Sequence, residues 1–171
     1  DKKICLVPSR VSFKWKGHDK ICQALKNKTI AQNFHFIFTG WGEDYAALRE
    51  LSKEQDWSVS FIDFVVSKPI LYDFIACSDI VIDNFKSGHY GTTGAEAIGR
   101  GVPIIMWVDR RQYSKENAPP PMLSAKSTDE IEKLFLKILQ DDDLLSHSKN
   151  RTIVWAESHH SSKAVSNFLL S

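Results

Sequence analysis

SDIVIDNFKSGHYGTTGAEAIGRGVP, residues 78–103, is the stretch that decides the fold. Ile80, Val81 and Ile82 form an apolar run of the length of a buried strand. Asp83 and Asn84 end it, and a polar loop with glycines continues over 86–94. A small-residue helix is expected over 94–100, carrying Glu96 and stopping at Gly99-Arg100-Gly101, and Val102 opens the next strand. Strand, glycine loop and helix start together make an anion site. The first-turn N–H groups have no helical partners, and the helix dipole adds partial positive charge. Glu96 lies about one turn further in. A carboxylate there repels phosphate but suits vicinal hydroxyls further along a ligand. Phosphate at the loop and ribose at the acid describe a nucleotide.

Residues 4–19, ICLVPSRVSFKWKGHD, add to this reading. Arg10 comes after a strand at 4–7, and Lys16 precedes a helix that starts near Gly17-His18. Two cations around one strand-to-helix loop suit a diphosphate: arginine offers a planar fork and lysine a point charge.

The rest of the chain alternates in the same way. Strands are expected at 34–39, 59–62, 104–107 and, briefly, 122–123. Helices are expected at 18–26, 44–55, 67–76 and 128–139, with two more between 144 and 170 broken around 158–162. Short apolar strands each followed by a helix imply right-handed βαβ units. The expected fold is a doubly wound α/β domain: about six parallel strands with helices on both faces and the ligand at the carboxyl-end switch point. Arg10, Gly40, Asp63, Asp83 and Gly91 all lie just past strand ends, so they should gather on that edge.

Composition narrows the classes. The 171 residues suit a single domain, 1–171, and the net charge of +1 gives no basic field for nucleic acid. Cys5, Cys22 and Cys77 are widely spaced, which favours free thiols over a disulfide framework or zinc knuckle and points to a reducing, cytoplasmic setting. No apolar run approaches about 20 residues.

Some motifs stay open. Thr39–Asp44, TGWGED, lacks the third glycine of a dinucleotide fingerprint because Tyr45 holds that place. Gly40 and Gly42 are read as a tight turn that lets ligand near the backbone, or as a plain turn. His89 in the glycine loop is a general acid, a sugar contact or an exposed loop histidine. The six histidines form no metal set. Asp63 and Asp83 either contact substrate or cap the next helix or turn. Trp57 and Trp107 should pack in or beside the core. Trp15 and Trp41 lie in loops on the ligand edge, where they either pack or stack on a base or sugar.

Taken in order, these segments resemble the C-terminal, donor-binding domain of retaining glycosyltransferases of the GT-B architecture, in family 4, the glycosyl transferase group 1 family. The carriers are SRVSFKWKGHD, FIFTGWGED, the run from Phe61 to Val65, and SDIVID with GHYGTTGAEAIGRGVPII. The resemblance covers nearly the whole chain and implies roles. Arg10 and Lys16 would neutralise the donor diphosphate and stabilise the leaving nucleotide. Gly40, Gly42, His89, Tyr90, Gly91, Thr92 and Thr93 would line the nucleotide-sugar site, with backbone N–H groups of 91–93 on the phosphates. Phe64 and Val65 would read the base, and Glu96 would bind the ribose. No metal or other cofactor is expected, because fixed cations replace it. The acceptor, a glycan or lipid-linked glycan, would belong to a missing N-terminal domain, as would any peripheral membrane contact. The helices over 144–170 are expected to turn toward that domain and leave Trp155 and Phe168 exposed.

One departure stands out. The family usually carries a second glutamate eight positions before Glu96, and here that position is Gly88. Asp83 is the candidate to supply the missing acid and is therefore placed with Arg10 and Lys16 in the catalytic set. A nucleotide-sugar epimerase of the same architecture and a binding domain without chemistry remain the alternatives.

Overall fold

The computed structural model describes residues 1–55, 57–62, 67–114 and 118–170, and the Phe168 side chain is outside that description. Six strands form one sheet: β1 (Lys3–Val7), β2 (Phe34–Thr39), β3 (Val59–Ile62), β4 (Ile80–Ile82), β5 (Ile104–Met106) and β6 (Leu123–Ser124). All pair in parallel, in the order β3-β2-β1-β4-β5-β6. The chain winds outward from β1 in one direction and from β4 in the other, so the switch point lies between those two strands.

The helices are α1 (Asp19–Ala24), α2 (Lys28–Asn33), α3 (Tyr45–Glu54), α4 (Lys68–Ala76), α5 (Thr92–Ile98), α6 (Thr128–Gln140), α7 (Leu144–His160) and α8 (Ser162–Leu170). Strand residues alternate between two cores, as a period of two requires. Cys5, Val7, Ile80, Ile82 and Ile105 join the core that holds Ile21 of α1, Leu48 of α3 and Phe135 of α6. Leu6, Val81, Ile104 and Met106 join the core that holds Ile75 of α4, Ala97 and Ile98 of α5, and Trp155 of α7. Both sheet faces are therefore covered, which is the doubly wound arrangement expected.

Phe34, Phe36 and Phe38 send three consecutive inward positions of β2 into the first core. Phe135 meets Phe34 edge-on at 4.8 Å between ring centres and Phe36 at 5.6 Å. That geometry is the favoured one for aromatic quadrupoles. Ser127 caps α6 through a reciprocal box with Glu130.

Three details differ from expectation. Helix α2 is an addition: the Asn27 side chain accepts the Thr29 N–H at 3.0 Å and starts a new helix where one was expected to end. Helix α5 begins two residues early, at Thr92, with Gly91 as its N-cap. Trp155 is buried, not exposed, and its indole N–H donates to the Ala118 carbonyl at 3.3 Å. In α8, by contrast, Leu169 and Leu170 are largely exposed. Cys5 and Cys22 are buried free thiols, and burial pushes Cys22 up to about 12.

Candidate functional site

The loops after β1, β2 and β4 interlock at the carboxyl edge of the sheet. The Val11 N–H donates to the Trp41 carbonyl at 2.8 Å, and the Phe13 N–H donates to the Asp44 carboxylate at 2.7 Å. The Phe85 N–H donates to the Lys16 carbonyl at 2.8 Å. Gly42 has φ of +124°, and a Cβ there would lie 2.2 Å from the Val11 oxygen. Its freedom from a side chain is needed because the chain's own β1–α1 loop crosses it. At Gly42 the backbone brought near is that of Val11. Gly40 extends the ladder, its N–H bonded to the Ile62 carbonyl.

Three cations stand on this edge and its flank, each against a carboxylate. Arg10 lies 3.7 Å from Glu43, both partly exposed. Glu43 also accepts from the Ser12 hydroxyl at 2.6 Å, and that bond, with Arg10 nearby, holds its carboxyl below the usual range. Lys16 donates to Asp83 at 2.6 Å. Asp83 is fully buried, and its second oxygen, Oδ2, has no partner among the described residues. Lys68, in the first turn of α4, bonds to Glu96 of α5, and the bond raises the lysine above its ordinary value. The Glu96 side chain is only 11% exposed.

The β4–α5 loop is shaped by its own polar groups. Asn84 accepts from the Ser87 N–H at 3.0 Å and the Ser87 hydroxyl at 2.6 Å. Gly88 has φ of +75°, and a Cβ there would sit 2.6 Å from the Asp109 Cβ. The Asp109 N–H donates to the Gly88 carbonyl at 2.7 Å. Two hydrogen bonds from the Arg111 guanidinium, at 2.8 and 2.7 Å, bring the Asp109 carboxyl down to about 2. The space a side chain at 88 would enter is therefore filled from the loop after β5.

His89 is exposed, as one of its readings required. The Tyr90 hydroxyl pairs with the His160 Nε2 at 3.1 Å, and its ring meets Trp155 edge-on, so Tyr90 leans on the end of α7. Gly91 and Thr92 are exposed, and a Cβ on Gly91 would meet nothing within 4 Å. Thr93 and Gly94 lie in the first turn of α5. Trp15 and Trp41 are 59% and 54% exposed, so neither packs into the core, while Trp57 does. Asp63, Phe64 and Val65 lie outside the described residues.

Sequence reading misses Lys68, Glu43 and the full part played by His18. His18 is a helix-start residue, as expected, but it is also completely buried. A lysine beside an expected helix start gives no hint that it meets a carboxylate two elements later. Among the described residues, no group of three or more His, Cys, Asp or Glu is placed to hold a metal ion. No described helix is long and apolar enough to cross a membrane.

With this geometry in view, the chain belongs to the glycosyl transferases group 1 family, whose profile matches residues 2–141. A comparison with curated protein sequences finds no match. Solved structures agree on the fold. The C-terminal domain of a glycosyl transferase group 1 family protein (LpcC) from Francisella tularensis superposes with a TM-score of 0.69 at 19% identity, over 94% of this chain and 87% of that one. The catalytic domain of cholesterol-alpha-glucosyltransferase from Helicobacter pylori gives 0.71 at 15% identity, over 91% and 98%. Anabaena Alr3699/HepE, solved in complex with UDP, gives 0.72 at 18% identity, over 98% of this chain but 48% of that one. The chain thus has the Rossmann-like fold of a GT-B C-terminal domain and spans about half the length of HepE.

Proposed function

We propose that this chain is the donor-binding half of a retaining glycosyltransferase that moves a sugar from a nucleoside diphosphate to a glycan or lipid-linked acceptor. One observation carries the reading: Arg10 and Lys16 leave β1 on one side of the switch point, and the segment from Asp83 to Glu96 leaves β4 on the other. That crevice is where an open α/β sheet binds its ligand.

The roles come from the chemistry of each group. Lys16 has three N–H donors and spends one on Asp83, which leaves two for phosphate oxygens. Arg10 sits only loosely against Glu43, so its fork is free to turn to a diphosphate. As the bond to the sugar breaks, negative charge grows on the leaving phosphate, and fixed cations stabilise it without a metal. Gly91, Thr92 and Thr93 add backbone N–H groups. Glu96, held by Lys68, keeps acceptor capacity for the ribose hydroxyls. Phe64 and Val65 remain the proposed base contacts. The acceptor site would belong to a second domain, and the exposed Val165, Leu169 and Leu170 of α8 support that helix as the surface facing it.

Calorimetric titration with UDP, GDP, dTDP and ADP tests this. HepE was solved with UDP, so uridine is the first base to try. One of the four should bind, and Arg10→Glu should weaken it by at least about tenfold. Binding of none, by this chain and by the full-length protein, overturns the reading.

A further inference from the structure

Lys16 and His18 grip the same residue from two sides. The Lys16 ammonium takes the Asp83 carboxylate at 2.6 Å, and the His18 Nε2 lies 3.2 Å from the Asp83 main-chain oxygen. On the other side of its ring, the His18 Nδ1 receives the Ser12 N–H at 3.3 Å. The main chain closes the ring: the N–H groups of Lys16 and His18 both donate to the Ser12 carbonyl, at 3.2 and 3.3 Å. The partners fix the tautomer. The Ser12 N–H can only donate, so Nδ1 must be the bare nitrogen, and Nε2 carries the proton it gives to Asp83. A doubly protonated ring would set two donors against each other at Ser12. Burial supports the neutral form, since it lowers His18 to about 4.

From this we infer that His18 is a positioning residue that acts through Lys16, a role resting on the diphosphate-binding reading above. Lysine carries its charge on a flexible four-carbon stem, which costs entropy each time it is fixed. Here the stem springs from a loop whose two ends meet at Ser12, and the ammonium is held by Asp83. His18 joins those two anchors, Ser12 and Asp83, through one rigid ring. Without it, the strand β4 end and the β1–α1 loop are tied by one fewer bridge, and the ammonium and its carboxylate drift as a pair from the diphosphate. Asp83 shares the role. Its carboxylate is fully buried and holds the Lys16 ammonium.

A double-mutant cycle tests the inference. The measurement is calorimetric affinity for UDP, GDP, dTDP and ADP in the unaltered chain, His18→Leu, Lys16→Met and the double variant. His18→Leu, which keeps an apolar side chain in the buried site, should weaken the diphosphate that binds by about tenfold. In the Lys16→Met background the same change should have almost no further effect. Losses that multiply, or a diphosphate affinity that His18→Leu leaves alone, overturn the inference while the functional reading stands. Failure of all four diphosphates to bind both the unaltered chain and the full-length protein removes the functional reading and this inference with it. The unaltered chain gives a second check that needs no variant to fold. Nitrogen NMR at neutral pH should show His18 as the neutral Nε2–H tautomer. An Nδ1–H tautomer or an imidazolium overturns the inference.

Discussion

Gly88 shows how much one residue settles. The family's usual glutamate is absent there, and the structure supplies a steric reason. The backbone is left-handed, and Asp109 occupies the space a side chain would need. Gly88→Glu should therefore not restore a family feature. It should destabilise the fold by about 1–3 kcal/mol, read as a lower midpoint in urea unfolding. His18 makes a prediction of opposite character. Its folded value near 4 lies below the ordinary 6.5, so the folded chain refuses a proton that the unfolded chain takes. Stability from this group is whole above pH 6.5 and falls as pH drops toward 4. The loss should approach roughly 3 kcal/mol. Urea unfolding between about pH 7 and pH 4 should show that slope, and His18→Leu should flatten it. Neither effect could be read from sequence. The letters G and H at 88 and 18 carry no record of what crosses them in space. The placement of Arg10, Lys16 and Glu96 past the ends of neighbouring strands, by contrast, was legible because the apolar runs before them mark those strands.

At the scale of elements, the periodicity of apolar residues located all six strands, because a buried parallel strand has to read as a short apolar run. What it could not locate was the α1–α2 break. Helix α1 ends at Ala24 and Asn27 caps the start of the next, and a polar residue after Lys26 looks the same in a loop. The early start of α5 has a similar cause: Thr92 and Thr93 read as loop residues until Gly91 takes the cap. Packing dominates the energetics of these elements. Phe135 is fully buried between Phe34 and Phe36, so Phe135→Ala should cost about 3–5 kcal/mol. Ser127→Ala, which opens the capping box of α6, should cost about 1 kcal/mol. Thermal unfolding of the two variants should rank them in that order. The reverse order would mean that α6 is held by its cap more than by its aromatic contact.

For the whole molecule, the winding of the sheet is what turns scattered residues into a site. Arg10 and Glu96 are far apart in sequence, yet both come after strands that neighbour each other at the switch point. Arg10, Lys16 and Lys68 are already paired with carboxylates, so on the proposed reading a nucleoside diphosphate would join existing pairs and not meet bare charge. The most direct test of the account is a crystal structure of this chain with the nucleoside diphosphate that calorimetry selects. The two phosphates should lie against Arg10, Lys16 and the start of α5, with the ribose hydroxyls on Glu96. A diphosphate bound elsewhere on the molecule, with Lys16 still engaged only by Asp83 and no ligand atom near Glu96, would contradict it.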